Sequence, residues 1–285
     1  METNNRGFFS EQDSEDVVNA RMGADANPRL KQVMASLVSH LHAFVKDVGL
    51  RQEEWEIAID FLTKTGQICS DERQEFILLS DVLGVSMLVD AINNRRPDGA
   101  TENTVFGPFH VADAPVLDHG ASINLDGKGE SCLFEGRVID VNGAPIEGAC
   151  VDVWSDNADG FYDVQKPGEI PQWNNRGQFL SKPDGSYAFV GIKPVSYPIP
   201  DDGPVGQMLG HLGRHPYRPA HVHFMVTAPG YQTIVTHTFV GNDKFIEDDT
   251  VFGVKQSLVA PFEQGGGETE WRSEFDFIMV PQSQA

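Results

Sequence analysis

The 285-residue sequence predicts a mainly β chain with a helical first third. Three observations carry this reading. Up to about residue 92, apolar residues recur at intervals of three and four. A polar, turn-rich stretch, Asn93 to Thr104, then marks a boundary, and beyond it the period drops to two. The two-residue pattern comes in many short runs joined by Gly- and Pro-rich connections, which makes a sandwich or a barrel rather than an alternating α/β fold. The expected domains are therefore helical (residues 1–100) and β-rich (residues 101–285).

Asn27-Pro28 opens the first long helix, with Asn as cap and Pro at the first helical position. Leu30, Val33, Met34, Leu37, Leu41, Phe44 and Val48 then form one apolar face, and Gly49 closes it. A second helix is expected from about Arg51 to Thr65, and a third is opened by Ser70-Asp71-Glu72-Arg73 and continues through Ile92. Helices of this kind need a surface to cover their apolar faces, in the second domain or another subunit. His40 and His42 have no acidic or tyrosine neighbour in ligand spacing and read as structural. In the β-rich part, Leu133–Asp140 and Ala149–Trp154 alternate around Asn142-Gly143, the signal of a hairpin turn. Further strands are expected at Ser186–Ile192, Ala220–Thr227, Thr233–Val240 and Phe275–Val280, with Gly265-Gly266-Gly267 as a loop before the last.

A formal charge of −21 argues against nucleic acid, which requires a surplus of Lys and Arg. No run reaches the 18 or so apolar residues of a membrane span. Met1–Gly23 has neither the basic start nor the apolar core of a signal peptide, so the expectation is a cytoplasmic protein. Cys69, Cys132 and Cys150 are odd in number and widely spaced, which argues against disulfides and thiolate metal sites. Cys132 and Cys150 are expected to pack as small apolar groups.

In Arg218-Pro219-Ala220-His221-Val222-His223-Phe224, strand alternation puts His221 and His223 on one face and Val222, Phe224 and Val226 on the other. Two imidazoles on one side of a rigid strand can share a metal ion, or can be polar residues on a solvated face. Spacing alone leaves both open. Tyr162, after Asp159-Gly160-Phe161, and Tyr197, in the proline-stiffened Pro194–Pro200 loop, each follow a strand. A phenolate suits a hard cation such as Fe(III). The alternative is a pair of rim aromatics with hydroxyls in water. Zinc patterns, a serine nucleophile elbow and phosphate loops are not found, and Phe224–Gly230 offers no carboxylate for a two-histidine ferrous site.

The ordered set Val151-Asp152-Val153-Trp154, Asp159-Gly160-Phe161-Tyr162, Tyr197-Pro198-Ile199-Pro200 and Arg218-Pro219-Ala220-His221-Val222-His223 resembles the intradiol ring-cleavage dioxygenases. Leu78–Gly84 and Thr104–His110 resemble the branch that acts on hydroxyquinol (benzene-1,2,4-triol). The likeness spans nearly the whole chain. It implies a β-sandwich catalytic domain preceded by an N-terminal α-helical segment that makes a homodimer, with a phospholipid between subunits as a further expectation.

The resemblance also implies a non-haem Fe(III) held by Tyr162, Tyr197, His221 and His223, with an aromatic diol or triol and O2 as substrates. Tyr197 is expected to leave the metal and accept a substrate proton. Arg218, cationic at all relevant pH, is suited to stabilising negative charge that develops on the ring. His237 stands where catechol-cleaving relatives commonly carry glutamine; it is a candidate hydrogen-bond donor to a reaction oxygen, or a sheet histidine bonded to backbone. Asp81 is the expected partner of the third ring hydroxyl. Leu78, Val105, Phe106, Gly107, Pro108, Phe109, Ile199, Pro200 and Val251 are the expected walls. Hydroxyquinol cleavage gives 3-hydroxy-cis,cis-muconate, which tautomerises to maleylacetate. The alternatives are a catechol or chlorocatechol dioxygenase and, in a different class, a non-catalytic β-sandwich binding module.

Overall fold

The computed structural model describes residues 8–70, 73–265 and 267–282. It divides into two compact units, one ending at Lys64 and one beginning at Thr65.

In the first unit a short helix α1 (Ser14–Asn19) precedes the long helix α2 (Pro28–Val48). The Asn27 side chain accepts from the amides of Arg29 and Leu30, and Gly49 ends α2 in the left-handed region at φ 60°. This cap pair is the one the sequence announces, because Asn and Gly meet the orphan groups at the two helix ends. His40 bonds the carbonyl of Ser36 and His42 the hydroxyl of Ser14, so both have local structural partners. Helix α3 (Gln52–Gln67) begins close to where the periodicity put it. No residue of α2 is buried, and its apolar stripe is open, with Leu30, Leu37, Leu41 and Phe44 each about half exposed.

The second unit opens with α4 (Glu75–Val82) and α5 (Val85–Asn93). Asp71 and Glu72, expected to open this helix, lie outside the described residues. The single helix expected through Ile92 is two, because Gly84 takes φ 72° and turns the chain between them. Helix α6 (Pro204–His211) lies later in the unit, and the Glu75 carboxylate accepts from the Val205 amide in its first turn.

The strands are β1 (Ser131–Asp140), β2 (Cys150–Trp154), β3 (Arg176–Leu180), β4 (Ser186–Ile192), β5 (Tyr197–Pro198), β6 (Tyr217–Arg218), β7 (His221–Thr227), β8 (Ile234–Val240), β9 (Val259–Ala260), β10 (Glu263–Gln264), β11 (Trp271–Glu274) and β12 (Phe277–Met279). Among the described residues β1 is central in one five-stranded sheet, antiparallel to β4 and parallel to β11 and then β12. The second sheet has the order β3-β2-β7-β8-β9, and β5 with β6 makes a separate ribbon. Phe134 and Val138 of β1, Phe189 of β4, Val151 and Val153 of β2, and Val222, Phe224 and Val226 of β7 share one buried cluster. The two sheets face each other across it as a β-sandwich.

The expected hairpin is corrected here. Asn142-Gly143 does turn the chain, with Gly143 at φ 83°, and the Ile146 amide bonds the Val138 carbonyl. Pairing then stops, since β1 joins one sheet and β2 the other. The intervening Gly148, at φ 68°, lies where the chain leaves the first sheet. Cys132 is buried as expected, with burial pushing its thiol up to about 12, while Cys150 is only half-buried. The run at Gly265 links β10 to β11, and Gly266 itself lies outside the described residues.

Candidate metal centre

The strand β7 sends alternate side chains to opposite faces. Its core face carries Val222, Phe224 and Val226; the other carries His221 and His223, both essentially inaccessible to water. Register extends this second face. Trp154 of β2 lies opposite His223, which lies opposite His237 of β8, and Arg176 of β3 lies opposite Trp154. Four adjacent strands thus contribute one row: Arg176, Trp154, His223 and His237. The nitrogens of His221, His223 and His237 lie within 4.8 Å of one another.

Tyr162 and Tyr197 reach the same place from loops. Tyr162 precedes a single 3-10 turn, and the next residue, Asp163, is tied to Arg176 of the sheet by a buried ion pair at 2.6 Å. Asp163 also accepts from the Trp173 amide at 2.9 Å, so the loop is anchored on the row that carries His223. Tyr197 starts the ribbon strand β5, paired with Arg218 of β6. The Tyr197 Oη lies 3.2 Å from Tyr162 Oη and 3.2 Å from His221 Nε2. The structure therefore brings Tyr162, Tyr197, His221, His223 and His237 together.

Arg218 lies inside this group. Its Nη1 donates to His221 Nε2 at 3.1 Å and its Nη2 approaches His237 Nδ1 at 3.4 Å. Its Nε and Nη2 both reach the Asp249 carboxylate at 3.3 Å. Burial opposes the Arg218 charge, but Asp249 and the two phenols outweigh it and hold the group firmly protonated.

The expected walls divide into groups. Gly107, at φ 76°, lies against His223 so closely that a Cβ there would stand 2.8 Å from Cε1. Phe109 stacks on Tyr162 with centroids 4.5 Å apart, while Phe106 packs on Trp154 and His110 rather than on a donor. Val251 is buried two residues from Asp249, whose Oδ1 accepts its amide at 3.2 Å. Asp81, on α4, is partly buried; desolvation raises its carboxyl, with a Ser86 hydrogen bond and the field of Arg218 opposing. Leu78, half-buried, lies one turn earlier on α4. Val105 and Pro108 flank Gly107 in the chain, and Ile199 and Pro200 follow the Tyr197-Pro198 strand, Ile199 buried and Pro200 exposed. A cavity of about 750 Å³ lies elsewhere, lined by Arg95, Arg96 and Lys255 among others and by none of the donors.

The donor chemistry fits a metal ion. Burial keeps all three imidazoles neutral, with Arg218 acting in the same direction, so each ring keeps one nitrogen lone pair; those of His221 Nε2 and His237 Nδ1 face the Arg218 guanidinium. His221 Nδ1 donates to the Pro219 carbonyl at 2.7 Å, which leaves Nε2 as the lone-pair nitrogen. Among the described residues neither ring nitrogen of the buried His223 has a hydrogen-bond partner. Such an arrangement costs desolvation with nothing in return unless a cation takes a lone pair. Burial pushes both phenols up, Tyr162 further than Tyr197, which Arg218 favours as the anion. A bound cation reverses that direction, since it stabilises the phenolate directly.

Comparison with known proteins agrees with this geometry. Residues 105–281 match the family model described as "Dioxygenase", and residues 27–101 match "Catechol dioxygenase N terminus". The chain belongs to the intradiol ring-cleavage dioxygenase family. This dioxygenase is 56% identical over 262 residues to a hydroxyquinol 1,2-dioxygenase of Rhizobium sp. (strain MTP-10005), covering 92% of this chain and 89% of that one. It is 52% identical to a 6-chlorohydroxyquinol 1,2-dioxygenase of Cupriavidus pinatubonensis, covering 92% and 94%. The crystal structure of a hydroxyquinol 1,2-dioxygenase from Pseudomonas putida DLL-E4 superposes with a TM-score of 0.92 at 45% identity, covering 95% and 99%. Membership of the family implies non-haem iron, and the buried histidine cluster is consistent with metal binding.

Three residues of the dioxygenase site were not foreseen. Asp249, which grips Arg218, lies 31 residues away in a loop and shares no spacing with it. Asp163 and Arg176 form a buried pair whose partners belong to a loop and to a strand that the alternation did not reveal.

Proposed function

We propose that this dioxygenase cleaves hydroxyquinol between its two adjacent hydroxylated carbons with O2 at a non-haem Fe(III), giving 3-hydroxy-cis,cis-muconate and, by tautomerisation, maleylacetate. The observation that carries the reading is the meeting of two buried phenols, the unpartnered imidazole of His223 and the lone pair of His221 beside one guanidinium. Tyr162, Tyr197, His221 and His223 are the ligands. Two phenolates favour the ferric state, and the ion when bound acts as a Lewis acid that activates a chelated diol towards O2.

The remaining chemistry belongs to the protein. A diol that binds as a dianion must lose two protons; Tyr197 Oη, 3.2 Å from Tyr162 Oη and from His221 Nε2, accepts one, and the other passes to solvent. Arg218 stabilises the negative charge that then develops on the ring. His237 acts as a hydrogen-bond donor rather than a third imidazole ligand. Arg218 Nη2 has only protons to offer, so the facing Nδ1 of His237 is the acceptor and Nε2 carries the hydrogen. Among the described residues that Nε2 has no close hydrogen-bond partner, although the ring also meets the Val105 backbone, and we assign its hydrogen to a reaction oxygen. Asp81 receives the third hydroxyl of the ring, and Leu78, Val105 to Phe109, Ile199, Pro200 and Val251 form the walls. A plain catechol would leave the Asp81 carboxylate with only its Ser86 hydrogen bond, a difference of about 1–3 kcal/mol.

The relatives named above support hydroxyquinol over catechol or chlorocatechol. We also propose a cytoplasmic homodimer, with residues 1–100 as the dimerisation segment and 101–285 as the catalytic sandwich. The open apolar stripe of α2 supports a covered face, by a second subunit with or without a phospholipid. The deciding experiment is the visible spectrum and turnover of the iron-loaded protein. A phenolate-to-iron band and a preference for hydroxyquinol are expected; a colourless protein, or preferred turnover of catechol, would overturn the respective part.

A further inference from the structure

Two motifs that the reaction chemistry leaves unused meet behind His223. From β2 come Asp152, 2% exposed, and Trp154, 1% exposed. From the segment after Thr104 comes His110, whose Nε2 lies 3.0 Å from Asp152 Oδ2. The carboxylate can only accept, so the Nε2 hydrogen of His110 fills the gap, and Gln178 donates weakly to the same oxygen at 3.4 Å. The His110 ring stands edge-on to Trp154 at 4.7 Å, and Trp154 lies flat on His223 at 4.9 Å and 17°. An unbroken stack therefore joins His110 to a proposed metal ligand.

The segment that His110 belongs to touches two of the proposed donors. Gly107 lies against His223 and Phe109 stacks on Tyr162. Yet it has little of its own to hold it. Among the described residues, no amide from Val105 to Pro115 donates a well-formed backbone–backbone hydrogen bond outside the regular elements; the segment has two short turns, at 108–109 and 112–113, and no helix or strand. The bond from His110 to Asp152 is the only hydrogen bond made by a side chain of residues 105–110 among the described residues; the Val105 backbone also meets the His237 ring. A wall segment without a ladder takes its position from such a tether.

We propose that His110 is a positioning residue: its hydrogen bond to Asp152 and its packing on Trp154 hold the Gly107–Phe109 wall against His223 and Tyr162, and so set how tightly the aromatic ring is gripped. The proposal rests on the metal and substrate reading above. It adds a determinant of fit that touches neither metal nor substrate.

The test uses the full-length, iron-loaded protein with His110→Phe, Asp152→Ala and Asp152→Asn. Binding of 4-nitrocatechol without O2, followed by its absorbance change, is measured beside steady-state turnover of hydroxyquinol. His110→Phe keeps the ring packing but loses the hydrogen bond. It is expected to retain the visible band, to weaken 4-nitrocatechol binding and raise KM by about 10-fold, and to lower kcat by less than about 3-fold. Asp152→Ala should behave alike, and Asp152→Asn, whose amide oxygen still accepts the Nε2 hydrogen, should return close to wild type. Should His110→Phe fold poorly, the contrast between the two Asp152 variants decides the matter by itself. Unchanged binding and KM in His110→Phe or Asp152→Ala overturn the proposal, as does an Asp152→Asn variant as damaged as Asp152→Ala, or loss of the visible band. A wild-type protein that shows no band or does not bind the probe overturns the functional reading and the proposal together. Normal wild-type behaviour with unaffected variants overturns the tether alone.

Discussion

Asp249 is the sharpest place to perturb the site without touching a proposed ligand. Its Oδ1 accepts from Arg218 Nε and the Val251 amide, and its Oδ2 from Arg218 Nη2 and the Gly253 amide at 2.9 Å. The Arg218 and Asp249 side chains are only 6% and 2% exposed, so water cannot replace what is lost. Asp249→Ala strands a buried guanidinium, which costs about 3–5 kcal/mol, and lowers Tm by roughly 6–20 °C in a chain of this size. Asp249→Asn is nearly isosteric and keeps one accepting oxygen, so its thermal loss should be smaller. Its amide hydrogens now face a cation, and Arg218 must re-aim. A shift near 1 Å in a group that stabilises developing charge lowers kcat by about 100-fold while KM changes little. Thermal denaturation and steady-state kinetics on hydroxyquinol measure both quantities. An Asp249→Asn enzyme with kcat within about 2-fold of wild type would refute the idea that this carboxylate aims Arg218.

Tyr162→Phe and Tyr197→Phe should each abolish or strongly shift the visible phenolate-to-iron band, read by absorbance on iron-loaded protein; an unchanged band excludes that tyrosine as a ligand. Asp81→Ala should cut the preference for hydroxyquinol over catechol by about 5- to 150-fold, compared as ratios of kcat/KM. Because desolvation raises the Asp81 carboxyl in the folded state, stability falls as pH rises from the unfolded towards the folded value. Asp81→Asn should therefore gain Tm above that window and none below about pH 4. Gly107→Ala places a Cβ 2.8 Å from His223 Cε1 at a positive φ, so iron content, measured by elemental analysis, should fall. The paired change Leu37→Glu with Leu41→Glu on the open stripe of α2 should convert a dimer to monomer by sedimentation, and a wild-type monomer would sink the dimer proposal.

How legible each donor was depended on what positions it. His221 and His223 could be placed on one face from the sequence because strand alternation is local. That His237 joins them was suggested only by the resemblance, since the pairing of His223 with His237 depends on the register set by the turn between β7 and β8. The tyrosines lie in loops, where spacing carries no geometry, and only the resemblance drew them together. Asn142-Gly143 announced a turn correctly, yet a turn does not say which sheet the outgoing strand will join. Gly84 could be read as a helix break only once its left-handed conformation was known. Asp249 gave no signal, because the contact that matters spans 31 residues between a ribbon and a loop.

The site and the core are two consequences of one alternation. Val222, Phe224 and Val226 lock β7 into the sandwich, and that packing is what fixes His221 and His223 on the far side. A one-residue slip would drive two imidazoles into an apolar core and expose Phe224 to the donor cluster, so the same burial energy that holds the fold selects the register of the metal site. The neighbouring strands inherit the arrangement. With β7 fixed, the pairings Trp154–His223 and His223–His237 follow, at ring separations of 4.9 and 4.0 Å. The loops then need only be tethered to this row, as Asp163 is to Arg176 and His110 to Asp152. Rigid donors thus come from the sheet and the phenols from loops, an arrangement suited to the proposed centre, in which Tyr197 would move while the imidazoles stay still.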